Sequence, residues 1–444
     1  MRRYPELKDS GIKWVGLMPS HWKTSKIGNL FTIKKRIAGR EGYPVLSITQ
    51  RGLKVKDISV NEGQMAADYS GYQFVYPGDF AMNPMDLITG YVGISSQFGV
   101  TSPAYRVFSI NDSNSYSAEY YLLLLELCYR RRIFYGYGKG VASKGRWCLP
   151  VKNFNRFYVP LPPLPEQEQI ARFLDWKTSD IDSLISVRQK QVEKLKELRT
   201  SVISSAVTRG LEPNATMKDS GIKWVGLMPS HWKTSKIGNL FTIKKRIAVR
   251  EGYPVLSITQ RGLKVKDISA NEGQMAADYS GYQFVYPGDF AMNHMDLLTG
   301  YVGISSQLGV TSPDYRVFSL NDPGTCSAKY YLLILELCYK RKIFYGYGKG
   351  AATKGRWRLP ASRFKVFNLP LPPLYEQEKI AKYLDTRTTE IDKLIATYED
   401  EITRLKEFKT SLISDAVTGK IDVRGVRVPE SVVQKKEALQ CQQT

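Results

Sequence analysis

GIKWVGLMPSHWKTSKIGNLFTIKKRIA runs from Gly11 to Ala38, and the same letters run again from Gly221 to Ala248. Sliding the chain along itself extends the match to Lys8–Gly210 on Lys218–Lys420. A repeat this long is a duplicated domain, because stacked solenoid repeats have periods of roughly 20–50 residues. Up to Val100 the copies differ at few places, among them Gly39/Val249, Val60/Ala270, Pro84/His294, Ile88/Leu298 and Phe98/Leu308. Beyond Asn111 they diverge further.

Each copy has two parts. The first is rich in Gly, Tyr, Pro and β-branched residues. Short alternating runs such as YPVLSIT (Tyr43–Thr49) and YRVFSI (Tyr105–Ile110) read as strands, with turn chemistry in YPGDF (Tyr76–Phe80). SAEYYLLLLELCYRRRIF (Ser117–Phe134) reads as a buried helix ending in a basic turn.

The second part opens with PLPPLPEQEQIA (Pro160–Ala171), prolines followed by helix formers with acid in the first turn. No Pro or Gly follows from Glu166 to Ala206. Leu174, Ile181, Leu184, Ile185, Val192, Leu195, Leu198 and Val202 recur in steps of three, four and seven, which predicts one apolar seam on a long helix. The second copy repeats it with Leu384, Ile391, Leu394, Ile395, Ile402, Leu405 and Leu412. About 40 residues make a rod of roughly 60 Å. Alone, such a helix leaves its stripe wet, so the two are expected to pack antiparallel in the manner of a coiled coil. The expected fold class is α+β: two tandem, pseudo-twofold-related mixed α/β modules at 1–164 and 211–374, spacer helices at 165–210 and 375–419, and a polar tail at 420–444.

Composition bounds the function. Hydrophobic residues make up 43% of the 444 residues, which suits packed cores. Lys and Arg number 64 against 42 Asp and Glu, a formal net charge of +22 that favours a polyanionic partner, nucleic acid foremost. No run approaches a membrane span, and the opening MRRYPELKDSG has no apolar signal core. Five cysteines with no C-x-x-C pair read as reduced thiols in a cytoplasm, without a zinc site.

Catalytic machinery is not evident. His21 and His231 sit in the MPSHW blocks and read as structural partners of Trp22 and Trp232; with His294 they complete the histidines, none at metal-ligand spacing. YGYGKG (Tyr135–Gly140, Tyr345–Gly350) lacks a P-loop frame, and MNPM (Met82–Met85) lacks the second proline and aromatic of an adenine methyltransferase loop. Binding chemistry remains. Candidate DNA contacts are Lys34, Lys35, Arg36 and Arg40; then Gln50, Arg51 and Lys54; then Lys139, Lys144 and Arg146. Their counterparts are Lys244, Lys245, Arg246 and Arg250; Gln260, Arg261 and Lys264; and Lys349, Lys354 and Arg356. Basic loops track phosphates, while Arg and Gln can reach base edges.

KDSGIKWVGLMPSHW, YPGDFAMNPMDLITGYVGISSQFGVTSPAYRVF, KGRWRLP and PLPPLPEQEQIARFLD, with the joint AVTRGLEPN leading into a fresh KDSGIKWVG, resemble the specificity subunits of type I restriction–modification systems. The resemblance implies two target-recognition domains on double-stranded DNA, each reading half of a bipartite site, held apart by the two helices. It implies no catalysis or bound cofactor in this chain. Two methyltransferase subunits would methylate adenine with S-adenosylmethionine, and two restriction subunits would use ATP and Mg, docked on the helices and the junctions at Pro160–Ala171 and Pro370–Ala381. In that family the two readers commonly differ; here they are nearly the same, so an interrupted near-palindrome is expected. The alternatives are a regulatory or architectural DNA binder and a basic protein–protein scaffold.

Overall fold

The computed structural model describes residues 2–49, 52–57, 68–140, 147–259, 262–267, 278–350 and 357–429. They form two units: Met1–Arg188 with Asp400–Thr444, and Gln189–Glu399.

In the first unit, β1 (Leu7–Asp9) and β2 (Leu17–Pro19) form a hairpin, followed by β3 (Lys23–Lys26), the short α1 (Ile27–Leu30) and β4 (Phe31–Lys34). A second hairpin joins β5 (Leu46–Thr49) to β6 (Gly52–Val55). Then come β7 (Gln73–Val75), β8 (Phe80–Met82), β9 (Val92–Ile94), β10 (Gly99–Thr101) and β11 (Arg106–Ile110). The remaining elements are α2 (Ala118–Arg130), α3 (Val151–Arg156), β12 (Tyr158–Leu161) and α4 (Leu164–Arg209). The central sheet is ordered β4-β11-β8-β9 and is antiparallel throughout, in register at Ile33–Phe108, Phe108–Phe80 and Phe80–Ile94.

Period two sorts the sheet's side chains onto two faces. Phe31, Phe80 and Phe108 take one, with Phe31 5.1 Å from Phe80, 5.2 Å from Phe108 and 5.8 Å from Tyr121 of α2. Ala81 and Val107 take the other, packing with Leu46 and Val75 of the neighbouring strands. Helix α2 begins where the Ser117 side chain accepts the Tyr120 amide, and its buried stripe includes Tyr120, Tyr121, Leu124 and Leu127.

The second unit repeats these strands from Met217–Asp219 to Asn368–Leu371, with α5 (Ile237–Leu240), α6 (Ala328–Lys340), α7 (Ala361–Lys365) and α8 (Leu374–Val417). One difference between the copies stores strain. Gly39 adopts φ +73° and Val249 φ +64°, the left-handed region that a Cβ penalises by roughly 1–2 kcal/mol. Val249 is 79% exposed, so little packing offsets that cost.

Helices α4 and α8 confirm the long rods, and each unit contains part of both. In the first unit Lys409 reaches Asp182 (2.6 Å) and Arg188 reaches Glu401 (2.7 Å). In the second, Arg199 reaches Asp392 (2.9 Å) and Lys196 reaches Glu399 (3.6 Å). Rising numbers on one helix meet falling numbers on the other, so within each unit the pair is antiparallel.

The seam differs from the expected one. Leu174, Ile181, Ile185, Val192, Leu384, Ile391, Ile402 and Leu412 are buried, and Leu195, Val202, Ile395 and Leu405 are half-buried. Leu184, Leu198 and Leu394 are exposed at 53%, 47% and 46% and do not belong to it. From Ile181 the contact line steps by four to Ile185, which turns Leu184 onto the flank. Sequence reading passes over the polar members of the line: Thr178, Arg188 and Arg199 in α4, Thr388 and Lys409 in α8. Both helices end at a glycine with φ +74°, Gly210 and Gly419. A Cβ on Gly419 would stand 2.3 Å from Pro19 Cδ, so the cap requires glycine there. The start of the tail is structural as well: Val423 is fully buried, and the Asp422 amide donates to the Arg2 carbonyl at 2.9 Å. No helix among the described residues is long and apolar enough to cross a membrane.

Two expected outcomes follow from strain and seam. Val249→Gly should stabilise the second unit by about 1 kcal/mol and Gly39→Val should destabilise the first by a similar amount, read from urea midpoints. Val192→Asp should cost on the order of 3 kcal/mol and Leu198→Asp no more than about 0.5 kcal/mol, read from thermal melts of helicity.

Candidate nucleic-acid interface

After β4 the chain peels from the central sheet and pairs with β7, the Phe74 amide donating to the Arg36 carbonyl at 2.6 Å. This brings together Arg36, Arg40 and four aromatic rings. Along β7 the side chains alternate: Gln73 and Val75 point inward and are buried, while Phe74 and Tyr76 point outward. Phe98 lies 5.5 Å from Phe74 and 5.2 Å from Tyr76, and Tyr43 lies 5.0 Å from Phe74. Tyr76 is 42% exposed and Phe98 38%, so the cluster is a surface rather than a core.

Two arginines cover this surface in different ways. Arg36 is only part-exposed and paired to Asp79 (2.9 Å), with its guanidinium 4.8 Å from the Tyr76 ring centre. Asp79 also accepts the Tyr76 amide at 2.9 Å, so the Arg36 charge fixes the turn under Tyr76. Arg40 is exposed; its Nε donates to Tyr43 Oη at 2.8 Å, which aims the guanidinium along the aromatic surface. Of the four candidate cations of this stretch, Arg36 is thus engaged by Asp79 and, by the same pairing with Asp289, so is its counterpart Arg246. Lys34 is half-buried on β4 and Lys35 is exposed; Lys244 and Lys245 match them. Lys54 and Lys264 are exposed on hairpin strands.

Lys139 belongs to a second cluster. It is exposed, and its backbone bridges to Cys148 (2.8 and 3.0 Å). Trp147 packs over Gly140, where a Cβ would meet the ring at 3.0 Å, and 4.5 Å from Tyr135. The Leu149 amide donates to the Pro84 carbonyl at 2.8 Å, tying this loop to the MNPM segment. Beneath it lies Arg106, only 7% exposed, donating to the Leu149 carbonyl at 2.8 Å and stacked 4.8 Å from the Phe154 ring centre. Burial lowers its pKa, and in the second unit the same burial lowers Arg316 to about 10. Lys349 occupies the position of Lys139. Gln50, Arg51, Lys144, Arg146, Gln260, Arg261, Lys354 and Arg356 lie outside the described residues.

Sequence reading missed the aromatic surface and the buried arginine. The alternation of Gln73 and Val75 with Phe74 and Tyr76 was the available signal for the first. Within the first junction motif, Pro163, Pro165 and Glu168 are exposed while the residues between them turn inward. Gln167 is fully buried and Glu166 is 9% exposed. Gln167 accepts the Ser117 amide at 2.9 Å and donates to the Pro162 carbonyl at 2.8 Å. Glu166 accepts from Trp22 (2.8 Å) and is 2.6 Å from His21, so the structural reading of that histidine stands. The four described cysteines are free thiols, and Cys441 lies outside the described residues.

Several differences between the copies fall at these clusters. Phe98 becomes Leu308 beside the aromatic surface. Pro84 and Cys148, joined through the Leu149 segment, become His294 and Arg358. His294 is part-buried, and its Nδ1 has no hydrogen-bond partner. Burial, then the charges of Arg316 and Arg358, lower its pKa from the ordinary 6.5 to about 4. A histidine lowered in the folded state binds fewer protons folded than unfolded. Stability of the second unit is therefore intact above pH 6.5 and is lost as pH falls toward 4. His294→Pro, the residue of the first copy, should remove that loss. Solvent screening limits the effect to on the order of 1 kcal/mol, or about 2–4 °C in Tm at pH 4 relative to pH 7.

Comparisons with known proteins agree with this architecture. The model of the type I restriction modification DNA specificity domain matches twice, over residues 19–194 and 229–404. The type I restriction enzyme MjaVIII specificity subunit of Methanocaldococcus jannaschii is 23% identical across 92% of this chain and 95% of its own. The EcoBI specificity subunit of Escherichia coli is 20% identical across 86% and 81%. A chain in a solved structure of a type I R-M system, 12% identical, shares the fold with a TM-score of 0.66 over 91% of this chain and 99% of that one. With its domain matched in both copies, over most of its length, the chain belongs to the type I restriction–modification DNA specificity family.

Proposed function

We propose that the chain reads an interrupted, nearly palindromic DNA target, one half-site per unit, and acts without catalysis of its own. The observation that carries this reading is the doubled surface: the same arginine–aromatic cluster and the same exposed lysine near a tryptophan (Lys139 with Trp147, Lys349 with Trp357) appear in both units, with few substitutions at their edges. Near-identical readers select near-identical half-sites, and inverted half-sites are what twofold-related readers take. Exposed lysines such as Lys35, Lys54 and Lys139 suit phosphates, while Arg40 and the aromatic edges suit base edges and thymine methyls. The partners are two methyltransferase subunits, which bring S-adenosylmethionine, and two restriction subunits, which bring ATP and Mg. The setting is the cytoplasm of a bacterium or archaeon.

The test is the methylation pattern of a host carrying this system. The expected motif has two related half-sites in opposite orientation across a fixed gap, differing at no more than a base or two. Two unrelated half-sites would refute the near-palindrome.

A further inference from the structure

The two units close the same joint with different parts. In the first, Glu166 accepts a hydrogen bond from Tyr4 Oη (3.1 Å) beside those from His21 and Trp22. Tyr4 is 4% exposed, and Arg424 lies over its ring at 4.9 Å, with Nη1 4.0 Å from Glu166. In the second, Glu376 keeps His231 (2.6 Å) and Trp232 (2.9 Å). Its strand pairing sets Met217 opposite Pro229 as Leu7 stands opposite Pro19, so the place of Tyr4 falls to Asn214. Instead of a seated tyrosine and arginine there is a cavity of about 450 Å³, lined by the linker Arg209–Thr216 and by Ser230, His231, Tyr375, Glu376 and Lys379. That volume lies within the roughly 300–1,000 Å³ of ligand pockets.

We propose that this cavity binds a polypeptide segment of a partner that presents a tyrosine beside an arginine, seated as Tyr4 and Arg424 are in the first unit. Three features select that occupant. Burial pushes the Glu376 carboxyl up, but donors from Trp232, His231 and Tyr375 outweigh it and hold the pKa below its ordinary value, so the acceptor is an anion. Lys379 is paired with Glu212 at 2.7 Å, which leaves the Glu376 charge to an incoming cation. The third donor, Tyr375 Oη at 3.0 Å, belongs to a side chain 67% exposed, which an incoming phenol displaces with little loss of packing. Glu212 and Glu376 stand against Arg209 and Lys379 in the wall, with Lys379 already paired to Glu212, so the cavity offers phosphate no excess of positive charge, and the proposal does not rest on the DNA reading.

The probe is the fluorescent peptide Arg-Arg-Tyr-Pro-Glu-Leu, the chain's own residues 2–7, titrated with the full chain and followed by anisotropy. Saturable binding below about 1 mM is expected. It should weaken at least about tenfold when alanine replaces the peptide's tyrosine, and again on the Glu376→Gln chain. Asn214→Tyr, which fills the cavity from within, should abolish binding and raise the thermal midpoint. No saturation at millimolar concentration overturns the proposal, as does binding that survives both Asn214→Tyr and the peptide's Tyr→Ala change. If Glu376→Gln fails to fold, the Asn214→Tyr chain decides alone.

Discussion

Neither long helix can bury its seam alone, and in each unit the helix that covers it comes from the far end of the chain. The Lys409–Asp182 pair of the first unit spans 227 residues of sequence, and the Arg199–Asp392 pair of the second spans 193. Loop entropy rises only with the logarithm of length, about 0.6 kcal/mol per doubling, so distant segments can pair whenever a continuous apolar line rewards them. The globular parts are then locked to the same helices. Tyr120 donates to the Val417 carbonyl at 2.8 Å in the first unit, and Tyr330 to that of Val207 at 3.1 Å in the second. The first unit is therefore built from discontinuous chain, Met1–Arg188 with Asp400–Thr444, while the second is the continuous stretch Gln189–Glu399, whose two ends are the paired helix segments.

Duplication lets one copy serve as a control for the other. In the seam Val192 becomes Ile402 and Val202 becomes Leu412, and the polar Arg199 becomes Lys409 with its acidic partner retained. Packing constrains the class of side chain there, not its identity. In the readers most of the aromatic core is kept, including Phe31, Phe80, Phe108, Tyr120 and Tyr121, core changes such as Leu124/Ile334 are small, and other changes fall on exposed or loop positions such as Gly39/Val249, Phe98/Leu308 and Pro84/His294. Changes of that kind leave the fold alone and alter the surface that meets a ligand.

The two-part architecture was legible because duplication and a seam of period 3.5 are properties of sequence. The seam's members were less so. Leu184 and Ile185 are both apolar, and only contact with the partner helix shows that the line runs through the second. Thr178, Arg188 and Arg199 sit on that line as polar residues, Arg188 and Arg199 paired to Glu401 and Asp392 across it, which a search for apolar spacing passes over. The basic loops could be found by composition, but composition does not say which charges are spent. Arg36 reads like Arg40 until Asp79, 43 residues away, is placed against it. The joint at Glu166 was hidden for the same reason: its donors, Tyr4, His21 and Trp22, lie more than 140 residues from their acceptor.

These spent charges change what the net charge of +22 means. Arg36 is paired, and Arg106 is buried under the loop it supports. The arginines thus divide between building the surface and presenting it. Arg40, like Arg250 in the second unit, is aimed along the aromatic cluster by a hydrogen bond to a ring that also stacks beneath it. A planar guanidinium held in this way meets a base edge with little orientational freedom left to lose, whereas exposed lysines follow a phosphate backbone from many directions. On the proposed DNA reading, affinity and discrimination rest on different residues, and a substitution beside Arg40, such as Gly39/Val249 or Phe98/Leu308, is expected to act on discrimination while leaving the general attraction to DNA in place.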